Sequence, residues 1–306
     1  MSKKTGKTGH QFPPPPGGHA ASSVTKPSSS GHAPGPGTPS DHAGRVTPAQ
    51  ASELVLSLFP GVDLLGRGFE SAGFCVVRGP DTLLDSRIEH FRSPPAGHLD
   101  GIIGGPPCQN YSDANRNRNQ AEGDRLVRQF LRVIDEARPQ WFLMENVRRV
   151  PDVRVEGYTV QRLGIFDSEC GGKQKRLRHI QFGSLVGDII RPERTESSRS
   201  VTAAVMCRAS KSDRHSRRLS RQSASDLPLR SLTKAARDRV IGNAVPLTMA
   251  KTLGHAVRCR SVITETDCAC GCGRTINPAR QKSATASCRK RLQRKRDGNG
   301  RAISPT

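Results

Sequence analysis

The sequence is poor in aromatic and other apolar residues. Of its 306 residues only 4% are aromatic and 34% are hydrophobic, with one Trp and two Tyr. This is low for a chain that buries a core along its whole length, so we expect part of it to be disordered. A run of about 18 apolar residues is also missing, and the first residues are rich in Lys, Gly and Pro. These features argue against a membrane-spanning segment and against a secretory signal.

Acidic residues are fewer than basic residues, and the excess of basic residues differs along the chain. The chain has 27 acidic and 49 basic residues, which gives a net charge of +22. Residues 51–183 are nearly balanced, with 18 basic and 17 acidic residues, whereas residues 184–240 hold 13 and 6, and residues 258–306 hold 12 and 3. Positive charge outside the central segment favours salt-sensitive contact with nucleic-acid phosphates. The alternative is that these basic, Ser-rich stretches only keep the chain soluble.

The pattern of apolar residues divides the chain into an arm and a folded part. Residues 1–50 are rich in Pro, Gly, Ser and His without periodicity, which predicts a disordered arm. Beyond them, apolar runs alternate with residues spaced as on a helix near Leu126 to Ile134. The strand candidates are residues 54–59, 74–77, 99–103 and 141–144. This alternation predicts a doubly wound α/β sheet, with chemistry at the carboxyl ends of its strands.

A cysteine and a glutamate follow two of these strand candidates. Cys108 comes after two prolines in the run from Gly104 to Gln109, and Glu145 comes directly after the fourth strand candidate. The prolines restrict the backbone and present the thiol in one orientation. A thiol is intrinsically very nucleophilic, which suits attack on an electron-poor ring carbon assisted by an acid. Considered singly, Cys108 could instead be a small buried apolar residue and Glu145 a solvated strand end.

Five short motifs occur in one order along the chain. They are Phe59-Pro60-Gly61, Pro106-Pro107-Cys108-Gln109, Glu145-Asn146-Val147, Gln174-Lys175-Arg176-Leu177-Arg178 and Gly242-Asn243-Ala244-Val245-Pro246. In these motifs the sequence resembles the 5-cytosine DNA methyltransferases, over about residues 54–257 and not at the two ends. It is most similar to compact members found in phages and prophages, which implies a phage or bacterial protein.

The resemblance implies a Rossmann-like, S-adenosylmethionine-dependent methyltransferase fold with a short target-recognition insertion. The expected parts are a catalytic and cofactor-binding core over 51–183, a recognition region over 184–238 and a final motif over 239–257 that returns to the core. The implied activity is methyl transfer from S-adenosylmethionine to C5 of a flipped cytosine in double-stranded DNA, through a covalent Cys108 adduct. We expect a monomer in the cytoplasm of a bacterial or phage-infected cell, with restriction–modification, phage protection and regulation as the open biological roles. A tRNA cytosine-5 methyltransferase and a DNA-binding relative with impaired catalysis are the alternatives.

The resemblance also assigns roles to single residues. Cys108 is the nucleophile, Glu145 binds the N3 and N4 edge of the base, and Arg176 and Arg178 hold the nucleotide. The cofactor-binding residues are Phe59, Gly61, Asp81, Pro106, Asn243 and Val245. One departure from the family occurs in the first motif, where Asp63 and Leu64 stand at positions that are usually glycine.

Four of the nine cysteines lie together in the basic tail, residues 258–306. They are Cys268, Cys270, Cys272 and Cys288. An intracellular enzyme keeps its thiols reduced, and the spacing is not that of a disulfide framework. A structural zinc site is one interpretation, with the following Arg and Lys residues placed against a phosphate backbone. Reduced thiols without a metal are the other.

Overall fold

A computed structural model describes residues 52–112, 115–195, 201–202, 233, 243–277, 281–296 and 302–305. The helices in these ranges are α1 (Leu64–Glu70), α2 (Gln120–Ala137), α3 (Leu247–Arg258) and α4 (Ala286–Arg296). The longer strands are β1 (Leu54–Leu58), β2 (Cys75–Arg78), β3 (Gly101–Gly104), β4 (Trp141–Asn146), β6 (Thr159–Phe166) and β8 (Leu177–Ser184). The two-residue strands are β5 (Asp152–Val153), β7 (Gln174–Lys175), β9 (Asp188–Ile189), β10 (Val201–Thr202), β11 (Ser261–Val262) and β12 (Ala302–Ile303).

Six strands form the central sheet, in the order β2-β1-β3-β4-β8-β6. The first four are parallel, and β8 and β6 are added antiparallel. All residues of β3 and β4 are buried, as expected for continuous apolar strands covered by helices on both faces. The predicted α/β class is therefore confirmed, and the four parallel strands lie where the apolar runs predicted them.

The aromatic residues are few, and several of them pack against one another on the two faces of the sheet. On one side Phe69 of α1 stacks on Trp141, which in turn stacks on Phe182. On the other side Phe130 of α2 meets Phe142 edge to face. The single Trp is fully buried, so a sequence with little aromatic content still fills a continuous core.

Helices α1 and α3 pack closely and in the same direction. A Cβ on Gly68 would lie 2.4 Å from the backbone of Ala250, and one on Gly254 would lie 3.2 Å from Phe69 and from Ala72. Residues later in α3 therefore contact residues later in or just after α1, so the two helices run in parallel. The start of α3 consequently lies at the same end of the sheet as the start of α1.

The start of α1 explains the departure in the first motif. Asp63 adopts the left-handed conformation, with φ of 51°, and its Oδ1 accepts hydrogen bonds from the Gly66 N–H and the Ser57 hydroxyl, both at 2.9 Å. Aspartate is one of the few residues besides glycine that takes this conformation, and it is also a favoured helix cap. Burial raises the pKa of the Asp63 carboxyl group, which the Arg78 guanidinium contacts at 2.9 Å. Asp63 therefore supplies both the turn and the helix cap.

The described part of the tail packs on the sheet domain. Strand β11 pairs with β9, and β12 pairs with β5, with Ile303 buried. Asp267 receives two hydrogen bonds from the Arg191 guanidinium. These contacts make the tail part of the same folded unit rather than a loose extension.

The remaining domain assignments stay predictions. The arm over 1–50 lies outside the described residues, as does nearly all of the recognition region after residue 195. In the part of the chain that the structure describes, no helix is long and apolar enough to cross a membrane.

Candidate active site

Three neighbouring strands bring a thiol, a carboxylate and a guanidinium to one edge of the sheet. Cys108 begins a short 3₁₀ turn four residues after β3 ends. Glu145 is the fifth residue of β4, and Arg178 is the second residue of β8. Because β3 pairs with β4 in parallel and β8 pairs with β4 in the opposite direction, all three residues lie at the carboxyl end of β4.

The carboxylate and the guanidinium form a close ion pair. Arg178 Nε donates to Glu145 Oε1 at 2.6 Å, and both side chains are almost buried. Gly105 faces this carboxylate, and a Cβ there would lie 3.0 Å from Glu145 Oε2. Arg176 lies nearby, and burial, with the like charge of Arg178, lowers its pKa to about 10. The site thus holds two buried guanidinium groups around one carboxylate.

The charges of Glu145, Arg176 and Arg178 all affect the pKa of the Cys108 thiol. Burial raises its pKa, and the negative charge of Glu145 raises it further, whereas Arg178 and Arg176 act in the opposite direction. In the resting protein the thiol is therefore protonated at neutral pH. Thiolate formation must be assisted when the substrate binds, because the thiolate is the attacking species.

The loop that carries Cys108 is fixed on both sides. Asn146 Nδ2 donates to the Pro106 carbonyl at 3.0 Å, and the Tyr111 hydroxyl donates to buried Asp124 Oδ1 at 2.8 Å. Neither Asn146 nor Tyr111 was given a role from the sequence. A signal was present for both, since Asn146 stands in the third motif and Tyr111 is one of only two tyrosines.

A buried aspartate links the motif that contains Arg176 and Arg178 to helix α3. Asp167 accepts a hydrogen bond from the Gln174 N–H at 3.0 Å and another from the Thr248 hydroxyl at 2.7 Å. Burial raises its pKa. No motif marked Asp167 or Thr248 in the sequence, because their pairing depends on two segments 81 residues apart.

The predicted cofactor residues gather at the same end of the sheet. The strand order reverses between β1 and β3, and ligands of such sheets bind in the crevice outside that point. Phe59 and Gly61 follow β1 there, and Asp81 Oδ2 accepts a hydrogen bond from the Gly61 N–H at 2.8 Å. A Cβ on Gly61 would meet no atom within 4 Å, so this backbone faces open space.

The other cofactor-binding candidates lie after β3 and before α3. Pro106 follows β3, while exposed Asn243 and buried Val245 precede α3, whose start lies at this end of the sheet. An acid beside an open glycine backbone and an apolar wall fits an adenosine, so these residues suit S-adenosylmethionine.

The four tail cysteines also converge, with their Sγ atoms within 4.8 Å of one another.

His179, next to Arg178 on β8, occupies a cationic environment. Both of its ring nitrogens are buried without a hydrogen-bond partner among the described residues. Burial lowers its pKa to about 3, and the charges of Arg162, Arg291, Arg148 and Arg178 contribute. The folded protein therefore keeps this imidazole neutral, whereas the unfolded chain protonates it near pH 6.5.

We expect His179 to destabilise the fold in acid. The free energy of unfolding is unaffected by His179 protonation above about pH 6.5 and decreases as the pH falls from there toward 3. In that range only the unfolded chain binds the proton. Between pH 6.5 and 5, His179→Gln should reduce the slope of unfolding free energy against pH by up to about 1.4 kcal/mol per unit. Denaturant titrations check this, with exposed His255→Gln as the control. Equal slopes for both variants would contradict the assignment.

Comparison with known proteins relates the central segment of the chain to one family. The sequence model described as C-5 cytosine-specific DNA methylase matches residues 83–204, which include Cys108, Glu145, Arg176 and Arg178. This segment of the chain is similar to that family. The Type II methyltransferase M.FnuDI of Fusobacterium nucleatum is 34% identical over 160 residues, which cover 42% of this chain and 46% of that protein. M.NgoPII of Neisseria gonorrhoeae is 33% identical over 136 residues, covering 38% and 39%.

The match is partial in length. The chain spans less than half the length of these two relatives. Among solved structures, the Entamoeba histolytica methyltransferase EhMeth matches 67% of this chain and 97% of that one, at 12% identity and a TM-score of 0.46. The segment that the family model matches holds the four converging catalytic candidates. Phe59, Asn243 and the tail cysteines lie outside it.

Proposed function

We propose that this protein is an S-adenosylmethionine-dependent DNA cytosine-5 methyltransferase. The observation that carries the proposal is the convergence of Cys108, Glu145 and Arg178 at the ends of three adjacent strands, with Glu145 and Arg178 2.6 Å apart. A nucleophile beside an acid and two guanidinium groups suits addition to an electron-poor ring that must be activated at the same time.

Cys108 forms and later breaks the covalent bond. C5 of cytosine is not nucleophilic enough to accept a methyl group directly, so the Cys108 sulfur adds to C6 and raises the electron density at C5. After methylation, the C5 proton leaves, the bond between sulfur and C6 breaks and the ring double bond returns. Because the resting thiol is protonated, its proton must leave as the base binds.

Glu145 and the two arginines act on the base and its backbone. The Glu145 carboxyl group hydrogen-bonds the N3 and N4 edge and favours protonation at N3. Arg178 orients that carboxylate, and Arg176 and Arg178 together provide charge-assisted contacts to the nucleotide. The cytosine must leave the duplex stack to reach this edge of the sheet, at a cost of about a few kcal/mol.

The cofactor residues bind the methyl donor beside this site. S-adenosylmethionine, when bound, supplies an activated methyl group. Asp81, whose Oδ2 accepts from the Gly61 N–H, is proposed to accept hydrogen bonds from the ribose hydroxyls as well, and Gly61 leaves the backbone open to close approach. Phe59 and Val245 offer apolar surface, while Asn243 is exposed at the start of the last motif.

Asp81→Asn is expected to weaken S-adenosylmethionine binding by roughly 10- to 100-fold. This corresponds to the loss of about 1.5–3 kcal/mol, the usual contribution of a hydrogen bond to a charged group. Isothermal titration calorimetry checks the dissociation constant. Asp85→Asn is the matched control, because Asp85 is an exposed carboxylate four residues away. Equal affinities in both variants, with unchanged thermal unfolding, would remove Asp81 from the cofactor site.

Exposed arginines flank the site on two loops. Arg116 and Arg118 follow the cysteine loop, and Arg148 and Arg149 follow Glu145. Guanidinium groups around a catalytic edge suit the phosphates on either side of a flipped nucleotide. Since one chain carries all four catalytic candidates, we propose that it acts as a monomer on duplex DNA in the cytoplasm of a bacterial or phage-infected cell.

Labelled methyl transfer tests the function. Purified full-length protein is incubated with S-[methyl-³H]adenosylmethionine and equal amounts of duplex DNA or transfer RNA, and nucleoside digests are separated by chromatography. We expect label in 5-methyldeoxycytidine from DNA. Label in tRNA alone would favour the tRNA enzyme. Binding of DNA without label in either substrate would favour a relative with impaired catalysis.

A further inference from the structure

The tail contains a small module with hardly any apolar core of its own. In the described residues from 263 to 296, the only buried residues of apolar type are the four cysteines Cys268, Cys270, Cys272 and Cys288. Ile276, Ala284 and Leu292 are only partly buried. Small modules that cannot bury enough apolar surface are commonly stabilised by disulfides or by a metal.

The four thiols converge as metal ligands do. Three come from one tight turn and the fourth from the first turn of α4, and all four Sγ atoms lie within 4.8 Å of one another. The Sγ atoms of Cys268 and Cys270 are 3.5 Å apart, and those of Cys272 and Cys288 are 3.7 Å apart. Four thiolates around zinc at about 2.3 Å in a tetrahedron are separated by about 3.8 Å, which agrees with this spacing.

Neighbouring groups donate hydrogen bonds to two of the sulfur atoms. The Ala284 N–H donates to Cys268 Sγ at 3.2 Å, and the Thr285 hydroxyl donates to Cys288 Sγ at 3.1 Å. Donors of this kind favour thiolates and orient metal ligands. Four thiolates in a tetrahedron select zinc or iron, and the small separation leaves room for one ion rather than for an iron–sulfur cluster.

The module also contacts the outer strand of the catalytic sheet. An Arg291 guanidinium N–H on α4 donates to the Arg162 carbonyl of β6. Arg274 forms an ion pair with Glu169 at 3.2 Å, and Glu169 lies three residues after the end of β6. A Cβ on Gly273 would lie 2.3 Å from the Ile190 carbonyl, so the turn that carries Cys272 fits closely against the chain after β9.

Helix α4 is held in place largely by these contacts. It has 11 residues, which is short for an independently stable helix, and six of the 11 are Arg or Lys. Cys288 anchors its first turn, and Arg291 reaches β6 one turn later. Because β6 pairs along its whole length with β8, which carries Arg178, the position of α4 is linked to the catalytic strand.

We propose that Cys268, Cys270, Cys272 and Cys288 bind one zinc ion, and that this ion holds α4 against the edge strand β6. The ion is structural, because all four positions of its tetrahedron are filled by cysteine. This inference does not depend on the methyltransferase activity.

Metal analysis of the full-length protein tests the binding site. Protein purified without chelator should contain about one zinc per chain. Cobalt(II) exchanged into the protein should give the intense absorption of tetrahedral thiolate coordination. Cys288→Ser should lose both, while Cys259→Ser, an exposed tail cysteine outside the cluster, should keep both. Absence of metal and of the cobalt spectrum, iron in place of zinc, or disulfides among the four cysteines would overturn the proposal.

Hydrogen exchange tests the structural role. Removing zinc from the wild-type protein with a chelator should speed exchange in residues 286–296 and 159–166, while the amides of α2 remain protected. This measurement does not require a variant to fold or the enzyme to be active. Unchanged exchange in 286–296 after complete zinc removal would show that the ion does not hold α4, and would overturn that part of the proposal.

Discussion

Replacement of Cys108 by serine is expected to reduce methyl transfer to DNA below detection, with the fold and the affinity for S-adenosylmethionine preserved. A serine hydroxyl has nearly the same size but is a far weaker nucleophile without a strong base beside it. Among the described residues, the charged groups that shift the Cys108 pKa are Glu145, Arg178 and Arg176, and none of these is a histidine. Duplex DNA that contains 5-fluorocytosine should trap the wild-type protein covalently, because fluorine cannot leave as the C5 proton does. Denaturing electrophoresis of the complex measures the trapping.

Two exposed cysteines provide matched controls for this experiment. Cys75→Ser and Cys259→Ser change a thiol to a hydroxyl in the same way, at sites away from the loop. Both should retain methyl transfer and trapping. A covalent complex that persists in Cys108→Ser would show that another residue attacks the base, and the assignment of the nucleophile would then be wrong.

The parallel half of the fold could be predicted because each of its strands includes a short continuous apolar run. Residues 54–59 and 141–144 predicted β1 and β4, and the structure has these strands at Leu54–Leu58 and Trp141–Asn146. A strand buried on both faces is a continuous apolar run, so its position is visible locally. Cys108 and Glu145 follow such runs, which is why both could be placed at the carboxyl edge.

The antiparallel half could not be predicted in the same way. Strand β8 includes Arg178, His179 and Gln181, which interrupt its apolar pattern. The register that brings Arg178 beside Glu145 depends on pairing with β4, some 30 residues earlier in the chain. Motif resemblance pointed to Arg178, but its partner is set by long-range strand pairing.

The attachment of the tail to the sheet could not be predicted from local sequence. The tail, residues 258–306, has a high positive charge and few apolar residues. Its attachment depends on specific contacts, such as Arg191 with Asp267 and β12 with β5, rather than on an apolar face. Contacts of this kind leave no periodic pattern in a sequence.

Glu145 has two opposite effects on catalysis, and their separation gives a sharp prediction. Its carboxyl group is proposed to activate the base, yet its negative charge raises the pKa of the Cys108 thiol. Glu145→Gln keeps the shape and can still accept a hydrogen bond from Arg178. Turnover should fall by roughly 10²- to 10⁴-fold, the usual contribution of acid–base assistance. Labelled methyl transfer under saturating DNA and cofactor measures this loss, with exposed Glu156→Gln as the control.

The same substitution should make the nucleophile more reactive. Without the Glu145 charge the pKa of Cys108 falls, so iodoacetamide should alkylate it at lower pH, as followed by mass spectrometry of the Cys108 peptide. The alkylation rate at high pH should match that of the wild-type protein, because exposure of the thiol is unchanged. A higher rate at every pH would indicate a disrupted site instead. Near-normal turnover with a lowered Cys108 pKa would show that a group other than Glu145 activates the ring.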